Sequence, residues 1–253
     1  MTSKVPTGIP GLDELLNGGL PENGIYVVFG KAGTGKSILS HQFIYSGATE
    51  YGDKGVSILL EETKDRIVNN FSGFGWDFDM LEKKGDLKII PYVKSIVGDV
   101  EACFTRDLSK MDSHRLEYMR EILTIDSLIR QIEEAVESID AKRVVIDPIS
   151  MITLLSESEI LTRMQLLSMF EKLRRMDVTT LVVAEEDVGY WKDTLFLSDG
   201  IIHTVLKENR GIYERGILLR KMRGTGHDTG VRPIKITDKG IEVKTDEIIM
   251  QGN

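Results

Sequence analysis

Residues 30–37 read Gly-Lys-Ala-Gly-Thr-Gly-Lys-Ser, which completes the pattern G-x-x-x-x-G-K-[ST] of a phosphate-binding loop. Glycines at these positions let the backbone fold back, so that its N–H groups converge on phosphate oxygens. The apolar run 25–29 before the loop predicts a buried strand, and a helix is predicted to begin at Lys36. This order of strand, loop and helix is the context in which the motif binds a nucleotide.

The residue types of the loop predict how it holds ATP and Mg²⁺, the two expected cofactors. Lys36 would place a positive charge on the β- and γ-phosphates, and the Ser37 hydroxyl would join the Mg²⁺ shell. The helix that begins at Lys36 would add the positive end of its dipole. The predicted nucleotide contacts in this region are Gly30, Ala32, Gly33, Thr34, Gly35, Lys36, Ser37 and Ile38.

Hydrolysis also needs carboxylates beside the γ-phosphate, and two predicted strands end in them. Strand 144–146 runs into Asp147, a Walker B-type acid expected to orient the Mg²⁺ water shell. Strand 56–60 runs into Glu61 and Glu62, one of which could accept a proton from the attacking water. Because neighbours on a strand face opposite ways, only one should point at the reaction, and Glu61 is favoured over Glu62.

A third candidate carboxylate follows the apolar run 180–183. If this strand lies in the centre of the sheet, Glu185 could sense the γ-phosphate. An acidic surface loop is an equally good interpretation of the same residues.

Strands and helices alternate along the first 200 residues, which predicts a mostly parallel sheet covered by helices on both faces. After Gly200, short strands without intervening helices predict antiparallel hairpins at one edge of the same domain. The predicted strands are 25–29, 56–60, 87–90, 143–146, 180–183, 201–205, 216–222, 232–236 and 241–244. The predicted helices are 12–16, one from residue 36, 64–74, 76–84, 124–139 and 159–176. The fold class is therefore a three-layer α/β P-loop NTPase over one domain, 1–253.

One segment, 93–123, does not fit this alternation. It is charged and longer than an ordinary connection. It is interpreted as a partly helical insertion that contacts a partner or gates the site.

Composition excludes several classes of protein. With 41% hydrophobic and 28% charged residues, the 253-residue chain is neither disordered nor fibrous. A net charge of −8 argues against general nucleic-acid binding, although a local basic patch could still bind DNA. No run approaches the about 18 apolar residues of a membrane helix, and residues 1–6 lack the apolar stretch of a signal peptide.

The cysteine and histidine residues bear on the cellular compartment and on metal binding. Cys103 is the single cysteine, so no intrachain disulfide can form, and a reducing compartment, the cytoplasm, is expected. The histidines show no metal-site spacing; they are His41, His114, His203 and His227.

Further motifs flank the phosphate-binding loop in a fixed order. They are Thr-Gly-Ile-Pro-Gly-Leu-Asp (7–13), Gly-Gly-Leu-Pro (18–21), Leu-Glu-Glu-Thr (60–63), Gly-Trp-Asp (75–77), Val-Ile-Asp (145–147) and Lys-Met-Arg-Gly-Thr-Gly-His-Asp (221–228). In this order they resemble the KaiC family of the RecA superfamily, in its single-domain form, over about residues 7–243. The glutamate pair and the K-M-R-G-x-x-H element are the family-specific parts.

The resemblance implies a RecA-like fold assembled into a hexameric ring, with ATP bound between subunits. Lys221 and Arg223 would then reach the γ-phosphate held by the neighbouring subunit, and His227 would lie near the ribose of that nucleotide. Two positions apart on a strand place both cations on one face. An arginine finger is worth about 10³ to 10⁵ in rate. Without the resemblance, residues 220–223 are better interpreted as a solvated basic strand.

The chain departs from the clock proteins of that family in two ways. They carry two domains in tandem, whereas this chain has room for one. The adjacent Ser-Thr pair that they autophosphorylate falls here on Leu195-Phe196, with Thr194 and Ser198 nearby, which disfavours a clock-type cycle. Only six residues precede Thr7, so the polymerisation arm of RecA-type recombinases is missing, and a closed ring is expected rather than a filament.

Four functional hypotheses follow. The favoured one is a ring that hydrolyses ATP slowly and uses its nucleotide state to control an unidentified protein partner. The others are a RecA-type accessory of DNA repair, an autokinase, and a nucleotide-binding protein without turnover.

Overall fold

A computed structural model describes residues 3–92, 124–150, 158–187, 195–209 and 211–249. Its strands are β1 (Lys4–Val5), β2 (Leu20–Pro21), β3 (Ile25–Gly30), β4 (Gly55–Leu59), β5 (Leu87–Pro91), β6 (Arg143–Asp147), β7 (Thr179–Glu185), β8 (Gly200–Asn209), β9 (Ile212–Met222), β10 (Arg232–Thr237) and β11 (Gly240–Val243). Its helices are α1 (Leu12–Leu15), α2 (Lys36–Ser46), α3 (Lys64–Ser72), α4 (Phe78–Lys84), α5 (Ile125–Ile139) and α6 (Glu159–Arg175). A π-helical turn, Gly47–Tyr51, continues α2.

Nine strands form the central sheet in the order β11-β10-β9-β8-β3-β7-β6-β4-β5. The six strands from β8 to β5 pair in parallel, and β9, β10 and β11 add an antiparallel edge. Because β3 lies between β8 and β7, its carboxyl end lies within the parallel part of the sheet and not at an edge strand. The carboxyl ends of β3, β7, β6 and β4 therefore meet at one edge of the sheet.

Helices cover both faces of the sheet, as the sequence predicts. One apolar layer lies between the sheet and the pair α5 and α6, and the other lies between the sheet and α1 to α4. Every residue of β3 is buried, which explains its continuous apolar sequence. Within the described parts of the chain, no helix is long and apolar enough to cross a membrane.

Helix α5 illustrates how local sequence sets these elements. The Thr124 hydroxyl accepts a hydrogen bond from the Ser127 N–H at 3.1 Å and caps the amino end. Asp140 takes a left-handed conformation, φ 53°, and ends the helix. Between them, the apolar positions at spacings of three and four are buried against the sheet; they are Ile125, Leu128, Ile129, Ile132 and Val136.

The predicted strands and helices are found in the predicted order. The two-residue strands β1 and β2 and the π-helical turn after α2 were not predicted, and other differences concern boundaries and one strand pairing. The predicted helix 76–84 begins at Phe78, because the Asp77 carboxylate accepts from the Met80 N–H at 2.8 Å and acts as the N-cap. β8 and β9 run further than predicted, since their polar, exposed residues pair with each other instead of forming a turn. β8 is also parallel to β3, so the antiparallel edge begins only at β9.

Some predicted features lie outside the described residues. They are the insertion 93–123, with Cys103 and His114 in it, and Thr194.

Arg143, the first residue of β6, is completely buried behind α2. Its Nε and Nη2 donate to Asp53 Oδ2 at 3.0 and 2.7 Å, and Nη1 donates to the Phe43 carbonyl at 2.9 Å. A Cβ on Gly47 would lie 2.5 Å from this side chain, so the close approach requires glycine there. The arginine thus fixes α2 and its π-helical extension to the sheet.

We predict that Arg143→Ala costs about 3 to 5 kcal/mol of unfolding free energy, because it breaks a buried ion pair and opens a cavity. Lys142→Ala is the matched control, since Lys142 pairs with Asp140 at 3.0 Å on the surface. This control should cost less than about 0.5 kcal/mol. Urea unfolding of both variants measures the difference. Equal losses would show that Arg143 contributes no more than a surface cation.

Candidate functional site

A cleft of about 600 Å³ opens where the parallel strands end. The phosphate-binding loop and the start of α2 form one side, and α3 forms the other. The carboxylates that line it come from the ends of β6 and β7 and from the segment after β4; they are Asp147, Glu185, Glu61 and Glu62. The cleft therefore brings together the phosphate-binding loop and the four carboxylates that were predicted from the sequence.

Six of the eight predicted loop contacts line this cleft, namely Ala32, Gly33, Gly35, Lys36, Ser37 and Ile38. Gly30 and Thr34 lie behind the loop instead, packed against Thr204 of β8. A Cβ on Gly30 would lie 2.2 Å from the Thr204 carbonyl oxygen, and the Thr34 and Thr204 hydroxyls are 2.7 Å apart. These two residues support the loop and do not face the cleft.

Lys36 begins α2 and is only 7% exposed. Gly35 precedes it with φ 100°, a left-handed conformation that favours glycine. The ammonium group donates to the Lys31 carbonyl at 3.0 Å, within the loop. Burial lowers the pKa of Lys36, and the nearby charges of Glu185 and Asp147 oppose that shift.

Ser37 and Asp147 form the pair that can hold a divalent cation. The Ser37 hydroxyl lies near the Asp147 carboxylate, which is 8% exposed. Burial raises the pKa of Asp147, and the neighbouring His41, Ser37 and Lys36 oppose this. A hydroxyl and a carboxylate are the oxygen donors that Mg²⁺ takes, with phosphate oxygens and water completing its shell. Across the described residues, no cluster of three or more His, Cys, Asp or Glu side chains offers a rival metal site.

Glu61 and Glu62 both line the cleft, and which of them points at the reaction stays a prediction. The alternation argument fails because β4 ends at Leu59 and the pair lies beyond the strand. Although Glu61 is exposed by surface area, it lines the cleft, where partial burial of its carboxyl group and then the charges of Glu185, Asp147 and Glu62 raise its pKa to about 7. Glu62 is 3.4 Å from Arg66, one turn along in α3.

Glu185 belongs to a strand, not to a surface loop. β7 lies between β3 and β6 and continues through Glu185, which pairs with Gly30. The condition for a γ-phosphate sensor, a central strand ending at the cleft, is therefore met. Its role as a sensor stays a prediction.

Lys221 and Arg223 do not line the cleft of their own chain. Lys221 Nζ donates to the Ser198 carbonyl at 2.6 Å, and Arg223 Nη1 lies 3.6 Å from Asp199 Oδ1. Asp199 in turn accepts from the N–H of Ile25, the first residue of β3. Both cations thus sit at the amino end of β3, about 17 Å from the loop at its carboxyl end.

Both cations contact the same short segment of their own chain, residues 195–199, but they do not both lie on one strand as predicted. β9 ends at Met222, and the Arg223 N–H donates to the Asp199 carbonyl at 2.8 Å as the chain leaves the sheet. The segment also contains the positions of the clock-type phosphorylation pair. Phe196 is 70% exposed there, whereas Ser198 is completely buried and donates to the Leu195 carbonyl.

His227 lines a separate open groove near α1, away from the cleft. Its Nδ1 is buried without a hydrogen-bond partner. The groove is held by Asn17, which donates to the Gly226 carbonyl at 2.9 Å, and by the Asp228–Arg232 ion pair at 2.6 Å. The structure therefore separates the three residues of the K-M-R-G-x-x-H element from the nucleotide loop of the same chain.

Some residues of the cleft were not predicted from the sequence. Arg215 donates from Nε to the Gly33 carbonyl at 3.0 Å and lines the cleft, but it falls in a stretch interpreted as a turn. Ile67, Phe71 and Phe74 of the α3 region form an apolar wall opposite the loop. His41 contacts both Ser37 and Asp147. Its position one helical turn after Ser37 is a signal from which the contact with Ser37 could have been predicted.

The mostly parallel sheet, its antiparallel edge and the phosphate-binding loop define a P-loop NTPase of the RecA-like class. The model of the KaiC ATPase family matches residues 5–248, and the chain belongs to that family.

Relatives of similar length support this assignment. The chain is 33% identical over 256 residues to a UPF0273 protein of Pyrococcus horikoshii, covering 100% of this chain and 98% of the relative. It is 34% identical over 251 residues to a UPF0273 protein of Thermotoga maritima, covering 98% of each. The crystal structure of a KaiC-like protein from Pyrococcus horikoshii superposes with a TM-score of 0.80 at 34% identity, over 96% of this chain and 100% of that one.

We predict that Glu61→Gln stabilises the protein at pH 8 when nucleotide and metal are left out. Because the folded pKa of about 7 exceeds the ordinary 4.5, the native state binds extra protons between these values, and its stability falls as the pH rises through that window. After allowance for solvent screening, the glutamine should gain about 1 kcal/mol, or about 2 to 4 °C in Tm.

Thermal unfolding between pH 4.5 and 8 measures this effect, and the gain should shrink as the pH falls toward 4.5. Glu134→Gln, on the exposed face of α5, is the control and should show no such trend. A pH-independent gain for Glu61→Gln would mean that its charge is not responsible.

Proposed function

We propose that this protein, as a single ATPase domain over residues 1–253, binds Mg·ATP in the cleft and hydrolyses it slowly. The observation that carries the proposal is the convergence of the phosphate-binding loop, Asp147 and the Glu61–Glu62 pair on one cleft. Membership of the KaiC ATPase family supports the same activity. We place the protein in the cytoplasm, where ATP is abundant and the single cysteine stays reduced.

Each side chain then has a defined task. Lys36 binds the β- and γ-phosphates, and Ser37 and Asp147 hold Mg²⁺ and its water shell. The metal ion, when bound, neutralises phosphate charge and fixes the geometry of the leaving group. Glu61 orients the attacking water and accepts its proton, since a base with a pKa near the working pH combines the right protonation state with driving force. Glu62 is the alternative base.

Among the described residues, the cations that line the cleft are Lys36 and Arg215, and Arg215 Nε already donates to the Gly33 carbonyl. Phosphoryl transfer also uses a cation directed at the γ-phosphate from outside the loop. Lys221 and Arg223 are the candidates, but they lie at the opposite edge of the sheet from their own loop. The proposal is therefore a homohexameric ring in which these cations, with His227, complete the site of the next subunit. In a closed ring of identical contacts, every loop faces a neighbour's cations. The nucleotide state of the ring would regulate a protein partner.

We predict that Lys36→Ala abolishes tight binding of Mg·ATP, because it removes the point charge on the phosphates. Fluorescent ATP titrated with Mg²⁺ measures the affinity. Lys31→Ala is the control, since Lys31 lies in the same loop but its side chain is exposed and outside the cleft lining. Unchanged affinity of Lys36→Ala would overturn the assignment of the loop as the phosphate site.

We predict that Arg223→Ala preserves Mg·ATP affinity and lowers the rate of phosphate release at least about tenfold. The rate per wild-type subunit should rise with protein concentration and then saturate, because a neighbour completes the site.

Mixing tests the contribution of the neighbour directly. Equal amounts of Lys36→Ala and Arg223→Ala chains, each inactive alone, should recover about a quarter of the wild-type rate. Half of the sites have an intact loop, and half of those face an intact cation. No recovery from subunits shown to exchange would place the cation's action within its own chain.

A further inference from the structure

We infer that His41 is a positioning residue that holds the metal-binding pair Ser37 and Asp147 in place, with its proton on Nδ1. The inference rests on the proposed Mg·ATP site and adds a residue that neither the loop motif nor the strand ends contain. His41 lies on α2, one helical turn after Ser37, and is completely buried.

Three elements meet at this imidazole. Its Nδ1 is 2.9 Å from the carbonyl oxygen of Ser37 on α2, and its Nε2 is 3.1 Å from the Ser57 hydroxyl on β4. The same Nδ1 is 3.8 Å from Asp147 Oδ2 at the end of β6. One side chain thus connects the start of the phosphate-binding helix with two strands of the sheet.

The partners decide which ring nitrogen carries the proton. A carbonyl oxygen only accepts, so Nδ1 must be the donor to Ser37. Nε2 is then the acceptor, and the Ser57 hydroxyl donates to it. Ser57 is completely buried, so this bond also satisfies a hydroxyl that water cannot reach. The Nδ1–H is therefore directed at the Ser37 carbonyl, and Asp147 Oδ2 lies 3.8 Å from the same nitrogen.

Packing confines the imidazole, and its hydrogen bonds select its orientation. The Phe71 ring lies 4.8 Å from the imidazole at an interplanar angle of 31°, and the Phe78 ring meets it edge-on at 6.1 Å. A ring rotated by 180° about the Cβ–Cγ bond would fill the same space, but it would exchange Nδ1 and Nε2 with carbon positions and lose both hydrogen bonds. The bonds to Ser37 and Ser57 therefore keep Nδ1–H on the side of the metal-binding pair.

Loss of His41 should therefore weaken the binding of Mg²⁺ more than the binding of the nucleotide. His41 Nδ1 lies 2.9 Å from the Ser37 carbonyl oxygen and 3.8 Å from Asp147 Oδ2, so movement of the ring alters the pair as a whole. Groups that orient metal ligands from behind typically contribute about 10- to 100-fold to metal affinity. A histidine that only filled space would instead affect stability and leave the Mg²⁺ dependence unchanged.

The tautomer is the first test. Magic-angle-spinning NMR of protein labelled with ¹⁵N-histidine reports which nitrogen is protonated, whatever the size of the assembly. The His41 signals are identified by their loss in His41→Asn. We expect the Nδ1–H form. A proton on Nε2 alone would overturn the inference, because the carbonyl of Ser37 would then have no donor from this ring.

The second test separates positioning from packing by comparing two variants. His41→Asn places an amide N–H near the position of Nδ1, whereas His41→Leu keeps a similar apolar volume without a donor. The probe is a fluorescent ADP titrated with and without Mg²⁺. For His41→Leu we expect metal-free affinity within about twofold of the wild type and an Mg²⁺ requirement raised about tenfold. His41→Asn should recover most of this loss.

Ser40→Ala is the matched control. Ser40 is buried on the same helix and donates to the Lys36 carbonyl one turn back, but no hydrogen bond or ion pair links it to Asp147. Its Mg²⁺ requirement should equal that of the wild type. An unchanged requirement in His41→Leu would overturn the positioning role. A wild-type protein that binds ADP equally with and without Mg²⁺ would instead overturn the proposed metal site.

Discussion

β3 is hydrogen-bonded on both sides, to β7 and to β8. The position of the phosphate-binding loop relative to the rest of the cleft depends on these two pairings. They set Gly30 beside Glu185, and they bring Thr204 of β8 directly under the phosphate-binding loop. The loop can turn sharply there because Gly30 has no side chain to meet β8. A shift of one residue in the β3–β7 pairing would displace the loop from Glu185, and a shift in the β3–β8 pairing would displace it from Thr204.

The cleft gathers more negative than positive charge. Four carboxylates line it, those of Glu61, Glu62, Asp147 and Glu185, whereas its basic lining residues are Lys36 and Arg215. This imbalance is part of the reason that the pKa of Glu61 rises to about 7, after burial itself. It also explains why a divalent cation and a cation from outside the cleft fit the proposed chemistry. Triphosphate would add further negative charge, which the chain's own side chains do not balance.

The sequence predicted the parts of the site that depend on local patterns. The loop, the order of strands and helices, and the acids at strand ends each follow from residues close together in the chain. Arg215 could not be found in this way, because its contact with Gly33 depends on the pairing of β8 with β9 beyond the end of β3. The extent of those two strands was underestimated for the same reason, since a polar hairpin beside a cleft lacks the apolar alternation of a covered strand.

A similar limit applies to the cations of the K-M-R-G element. Their spacing indicates a common target but not its location, because the distance from Lys221 to the loop depends on the strand order and not on the sequence nearby. His41 is the opposite case. Its place one turn after Ser37 was readable from helical periodicity, but only the fold brings Ser57 and Asp147 to the same ring. Long-range pairing thus decides which of several reasonable local candidates act together.

β9 connects the two halves of the proposed mechanism. Near one end Arg215 holds the loop carbonyl of Gly33, and near the other Lys221 holds the carbonyl of Ser198. The two residues are six positions apart, about 20 Å along the strand. β9 pairs with β8 along its length, with a bulge at Arg220, and with β10 at Gly216 and Ile217. In the proposed ring, this one strand would therefore join the loop of one site to a cation that completes the next, and that connection is a physical route by which two sites could be coupled.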